Sequence, residues 1–149
     1  MSRAIVLDAG PLGLITNPRA TPSAMACREW VVRRLSDGDV FLVPEIADYE
    51  IRRELIRAGK TAGLARLDAF NSQVAGRYLP ITTSVMQHAA ELWALARTRG
   101  TPTADPKELD ADVILAALAR SIKHPNVIVA TANVGHLGQF VAADIWQSI

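Results

Sequence analysis

The sequence predicts an α/β protein, a three-layer α/β/α sandwich around a central, mostly parallel sheet of four or five strands. Three observations carry that expectation. Short apolar runs alternate along the chain with longer stretches of helical periodicity, which implies parallel strands joined by helices on both faces. The runs are too short for helices and show no polar alternation, as expected of strands covered on both sides. Hydrophobic residues make up 50% of the 149 but aromatic ones only 5%. The core must therefore be built from Ala, Val, Ile and Leu, which suits close packing of helices on a sheet.

Each element follows from its own residues. Ala4-Ile5-Val6-Leu7 reads as the first strand, ending at Asp8 and the turn-like Ala9-Gly10-Pro11. Residues 11–15 can start a short helix after that turn, and Asn17-Pro18 and Thr21-Pro22 mark a loop. Residues 23–35 form a helix with Ala24, Cys27, Trp30, Val31 and Leu35 near one stripe, stopped by Asp37-Gly38. Val40-Phe41-Leu42-Val43 is a second buried strand. Residues 45–58 are helical up to Gly59, and residues 61–74 form another helix with Leu64, Leu67 and Phe70 at helical spacing. Residues 78–81 make a weaker third strand. Thr82 or Thr83 caps the helix of residues 85–99, which Gly100-Thr101-Pro102 breaks. Residues 110–121 are helical, Val127-Ile128-Val129 is the fourth strand, and Asp144-Ile145-Trp146 closes the chain as a final strand.

Composition bounds the rest. At 149 residues the chain is expected to be one domain, residues 1–149. The formal net charge of +1 neither predicts nor excludes a nucleic-acid partner, so any basic surface must be local. A single cysteine, Cys27, excludes an intrachain disulfide and a multi-cysteine zinc site and fits a reducing, cytoplasmic location. The N-terminal apolar run is too short for a signal peptide, and no stretch is long enough to span a bilayer.

The chemistry points to acids. Asp8 leaves a buried strand at the sheet edge where open α/β folds build ligand sites. Glu50 lies on the helix after the second strand, and Asp112 in the first turn of the helix before the fourth. Parallel strands bring these places to one edge. Carboxylates packed together repel and have raised pKa values, a conflict that a hard cation resolves. Magnesium prefers oxygen ligands and keeps several waters, and such an ion can support attack of water on a phosphodiester. Thr131 and Asn133, after the fourth strand, can bond a metal water or a phosphate oxygen.

At these residues the chain resembles the PIN domain, and within it the VapC-like toxins of toxin–antitoxin pairs. Ile5-Val6-Leu7-Asp8-Ala9-Gly10-Pro11-Leu12 is similar to the family's opening motif. Tyr49-Glu50-Ile51-Arg52-Arg53 is similar to its Glu followed by an apolar and a basic residue. Asp112-Val113-Ile114-Leu115-Ala116-Ala117 is similar to its Asp-x-x-Ile-Ala-Ala, and Val129-Ala130-Thr131-Ala132-Asn133 to its Thr-x-Asp/Asn. Each motif alone is weak; four in family order over almost the whole chain are much stronger. The resemblance implies a PIN-like fold and a Mg²⁺- or Mn²⁺-dependent ribonuclease specific for single strands. It also implies a homodimer, with a cognate antitoxin covering the site. Asp8, Glu50 and Asp112 would bind the metal and, with Thr131 and Asn133, form the catalytic set. The chain departs from the fullest pattern at Gly10 and Asn133, which favours one metal over two.

Alternatives stand beside each assignment. Asp8 can cap the following helix, and Glu50 can pair with Arg53 on a solvated face. Glu45 fits a first-turn acid favoured by the helix dipole. Asp110 competes with Asp112 and fits an N-cap better, while Asp105 sits in a loop that could reach the same mouth. Arg52 and Arg53 are candidates for RNA phosphates or an acidic antitoxin tail. His136 reads as a surface or supporting group, Cys27 as core, and Trp30, Trp93 and Trp146 as packing. One rival function is a non-catalytic PIN module that binds RNA or a protein partner. Another is a different acidic-pocket fold, such as a haloacid-dehalogenase-type phosphatase or a receiver domain. Gly10 breaks the Asp-x-Asp that the phosphatase needs, and Asp8-Ala9 lacks the receiver's acidic pair.

Overall fold

The computed structural model describes residues 2–99 and 106–149. Ala4–Leu7 (β1), Val40–Pro44 (β2), Tyr78–Leu79 (β3), Val127–Ala130 (β4) and Ala143–Asp144 (β5) form one sheet in the order β3-β2-β1-β4-β5. Every pairing is parallel. The helices are Ala9–Thr16 (α1), Pro22–Ser36 (α2), Glu45–Arg57 (α3), Thr61–Gln73 (α4), Thr83–Thr98 (α5), Pro106–Arg120 (α6) and Val134–Leu137 (α7). A 3₁₀ turn, Trp146–Ser148, follows β5. The expected sandwich is present, with five strands and a wholly parallel sheet. No helix among the described residues is long and apolar enough to cross a membrane.

Burial explains the strands. All four residues of β1 are buried, because the central strand is covered on both faces. Fully burying a Leu or Ile side chain is worth roughly 1.5–3 kcal/mol, and Ile5, Leu7, Leu12, Leu67, Leu115 and Leu118 all meet in this core. Trp30 packs edge-on against Phe41, with centroids 5.2 Å apart, and tilted against Trp146 at 5.7 Å. Cys27 is buried too, and burial pushes its thiol up to about 12, so it fills the core as a small apolar group.

Four helix starts differ from the sequence reading, α2 by one residue (Pro22) and α5 by two (Thr83). The first helix begins at Ala9 rather than residue 11, because Asp8 caps it by accepting the Ala9 N–H at 2.7 Å. Gly10 and Pro11, which look like a turn, lie in its first turn, where proline costs no hydrogen bond. The sixth begins at Pro106 rather than Asp110. Proline suits a first helical position, so the helix starts earlier and neither Asp110 nor Asp112 is a cap or first-turn residue. Thr82, not Thr83, caps α5 through the Val85 N–H at 3.1 Å. The last strand is Ala143–Asp144 and ends before Ile145, and a short helix, α7, follows β4, where the sequence shows no helical periodicity. Gly100-Thr101-Pro102 and Asp105 lie outside the described residues.

Candidate functional site

The strand order places the site. From β1 the chain runs outward on one side through β2 and β3, and on the other through β4 and β5. The two halves meet between β1 and β4, and a parallel sheet opens a crevice at the carboxyl ends of such a pair. Asp8 follows β1 there. Its N–H donates to Ala130 O at 3.0 Å and its carbonyl accepts the Leu12 N–H at 3.1 Å. Its backbone is thus held between the sheet and α1. Thr131 follows β4, anchored by its N–H on Asp144 O at 3.0 Å.

Asp8, Glu50 and Asp112 line one cleft of about 710 Å³, together with Tyr49, Arg53, Asp110, Asn133 and His136. The three carboxylates singled out from the sequence therefore share one opening, although they come from the turn after β1, from α3 and from α6. Burial raises the pKa of Glu50, and the negative charges of Asp8 and Asp112 raise it further, with Arg53 opposing. Burial is the larger cause, and the two neighbouring carboxylates add to it. Among the described residues, however, no three His, Cys, Asp or Glu side chains stand close enough together to hold a metal ion as they are. The donor set is all hard oxygen, which suits magnesium or manganese, and the cleft has room for an ion that keeps its waters.

Thr131 and Asn133 act on the carboxylates themselves. Thr131 is 1% exposed, so it cannot reach water or phosphate in the cleft. Its hydroxyl donates to Asp8 Oδ2 at 2.7 Å and accepts the Asn133 N–H at 2.9 Å. Asp8 thus uses one oxygen for the helix cap and the other for Thr131, so the cap role and the site role coexist. Asn133 Nδ2 donates to Asp112 Oδ2 at 3.4 Å and lies 3.0 Å from His136 Nδ1. With the imidazole proton on Nε2, Nδ1 accepts from the Asn133 amide. His136 Nδ1 is 3.6 Å from Asp112 Oδ2, so this histidine lines the cleft, carried there by α7.

The two neighbouring arginines part company. Arg52, a candidate RNA contact, is absent from the cleft lining. Its Nε and one terminal nitrogen grip Asp48 at 2.8 and 3.0 Å, and the latter also reaches Asp68 at 2.7 Å. Asp48 is 4% exposed and also accepts from Asn71 Nδ2 at 2.7 Å, so Arg52 fastens α3 to α4. Arg53, one step round the helix, faces the cleft. Arg57 pairs with Glu54 at 2.9 Å. Glu45 does more than favour a helix dipole: it accepts from Tyr78 OH at 3.0 Å and the Ile81 N–H at 2.7 Å, tying down β3. Tyr49, 54% exposed, also lines the cleft, which the sequence does not single out. Its only signal was an aromatic residue beside the acidic motif.

No protein-family model matches the chain, and no curated protein matches it. Solved structures do share its fold. VapBC2 from Rickettsia felis, bound to a DNA fragment from their promoter, is similar at a TM-score of 0.70 and 14% identity, over 96% of this chain and 98% of that one. FitAcB from Neisseria gonorrhoeae gives 0.66 and 23%, over 97% and 99%. VapBC-1 from nontypeable Haemophilus influenzae gives 0.64 and 16%, over 97% and 98%. The fold is PIN-like, as the four motifs imply.

Proposed function

We propose that this chain is a metal-dependent endoribonuclease and the toxin of a toxin–antitoxin pair. The observation that carries the reading is the convergence of Asp8, Glu50 and Asp112 on one cleft at the sheet's switch point, with Glu50 feeling the charge of the other two. Asp8, Glu50 and Asp112 would hold Mg²⁺ or Mn²⁺. A bound divalent ion would supply Lewis-acid stabilisation of phosphodiester charge and favour attack by water. The chain's own residues do the rest. Thr131 fixes the rotation of the Asp8 carboxylate, and Asn133 steadies Asp112. Arg53 offers a cation to an RNA phosphate, which would otherwise be repelled by the acids.

The toxin role rests on the PIN-like fold shared with chains from VapBC and FitAB assemblies. A cognate antitoxin, a homodimer and a cytoplasmic setting belong to the same proposal. A non-catalytic PIN module is the second reading, favoured by the neutral Asn133 at the fourth position. The test is cleavage of unstructured RNA by the pure chain in Mn²⁺, alongside Asp8→Asn and Asp112→Asn. Wild-type cleavage that falls by about 100-fold or more in both variants is expected. Equal activity in all three would remove the assignment, and RNA binding without any cleavage would favour the second reading.

A further inference from the structure

We infer that Tyr49 and Arg53 form a stacking platform at the mouth of the carboxylate cleft, which takes an unpaired RNA base beside the phosphate to be cut. The inference rests on the nuclease reading but adds a substrate contact that the acids cannot make. Tyr49 directly precedes Glu50 on α3, so the helix sets its ring at the rim while Glu50 faces the cleft. The residue is 54% exposed, which leaves an aromatic side chain in reach of a ligand at the mouth of the cleft. Arg53, one helical turn on, lays its guanidinium over the ring at 5.1 Å from the centroid. That contact holds the phenol in one orientation and leaves the cation at the same rim.

A cation beside an exposed aromatic side chain suits RNA, which offers both a phosphate and a base, better than an acidic peptide, which offers charge alone. Among the described residues Arg53 forms no ion pair, whereas Arg52 and Arg57 are bound by Asp48, Asp68 and Glu54. The guanidinium available to a backbone phosphate thus adjoins an exposed aromatic side chain on which a base can stack. Single-strand binding sites pair these two features, because every base can stack and every linkage is anionic. Two other arginine–aromatic contacts, Arg77 on Phe70 and Arg97 on Trp93, do not line this cleft.

Binding of a fluorescent oligouridine and of an abasic ribose-phosphate strand of equal length tests the platform. Both are titrated with the full chain in Ca²⁺ for wild type, Tyr49→Phe and Tyr49→Ala. The expected result is that Tyr49→Ala weakens oligouridine binding about tenfold, leaves the abasic strand unchanged, and that Tyr49→Phe behaves as wild type. Unchanged oligouridine affinity in Tyr49→Ala overturns the proposal and leaves the ring to a protein partner. Equal weakening of both strands also overturns it, by pointing to disturbance of the site as a whole. Cleavage in Mn²⁺ is scored separately. Its failure in wild type would sink the nuclease reading, while the contrast between the two strands still judges the base platform.

Discussion

Thr131 shows how a residue outside the cleft can control what happens in it. Its hydroxyl bonds Asp8 Oδ2 while accepting from Asn133, so losing it frees the Asp8 carboxylate to rotate. Groups that orient metal ligands typically matter by about 10–100-fold in affinity or activity. Thr131→Val is therefore expected to lower Mn²⁺ affinity within that range, and Thr131→Ser to restore it; calorimetric titration of both variants checks this. Glu50 gives a pH-dependent prediction. Burial, then Asp8 and Asp112, raise its pKa above the ordinary 4.5, so the folded state binds its proton more tightly than the unfolded chain. Its contribution to stability is full below about 4.5 and is lost as pH rises through the raised value. In EDTA, Glu50→Gln should melt above wild type at pH 7, with the gap closing at acid pH. A lower melting temperature for the variant at pH 7 would contradict the repulsion. Asp8 and Asp112 could be found from sequence because one ends and the other opens an apolar run, and Glu50 because it lies on the helix after the second strand. The division of labour between Arg52 and Arg53 could not. Adjacent helical positions point about 100° apart, and only the placement of Asp48 and Asp68 decides which one turns inward.

At the scale of elements, α3 supplies the site because α4 holds it. Arg52 clamps the buried Asp48, and Asn71 from α4 adds a third bond. Asp48→Ala would leave Arg52 with Asp68 as its carboxylate partner and remove the Asn71 contact. A cost of about 2 kcal/mol, reduced from the fully buried case by the exposure of Arg52, is expected from urea unfolding. Arg52→Ala should lose stability without the loss of RNA affinity expected for Arg53→Ala. The strands were legible because β1, β2 and β4 are unbroken apolar runs between turn signals. Helix beginnings were less so. Gly10-Pro11 looks like a break yet lies inside the capped first turn of α1, and Pro106 opens α6 where proline usually reads as an ending. Thr131 and Asn133 flank Ala132 with similar hydrogen-bonding chemistry, and only their bonds in the folded chain show that one holds Asp8 and the other Asp112.

For the whole molecule, the strand order brings residues over 100 positions apart in sequence to one edge. That is why four weak motifs spread along the chain add up to one site. The small net charge of +1 hides a sharp local contrast. Asp8, Glu50, Asp110 and Asp112 crowd one cleft, with Arg53 as its guanidinium cation. Such a cleft resists a polyanion until a cation enters it, so metal binding should precede RNA binding, and affinity for RNA should rise with Mn²⁺. A ligand that binds only the folded state also stabilises it, by about 2.7 kcal/mol at 100 times its dissociation constant. The most direct test of the central claim is Mn²⁺ titration of the purified chain followed by calorimetry, beside Asp8→Asn and Asp112→Asn. The account predicts saturable binding in wild type that weakens by about tenfold or more in each variant. Binding of equal strength in all three proteins, or none at millimolar Mn²⁺, would contradict it.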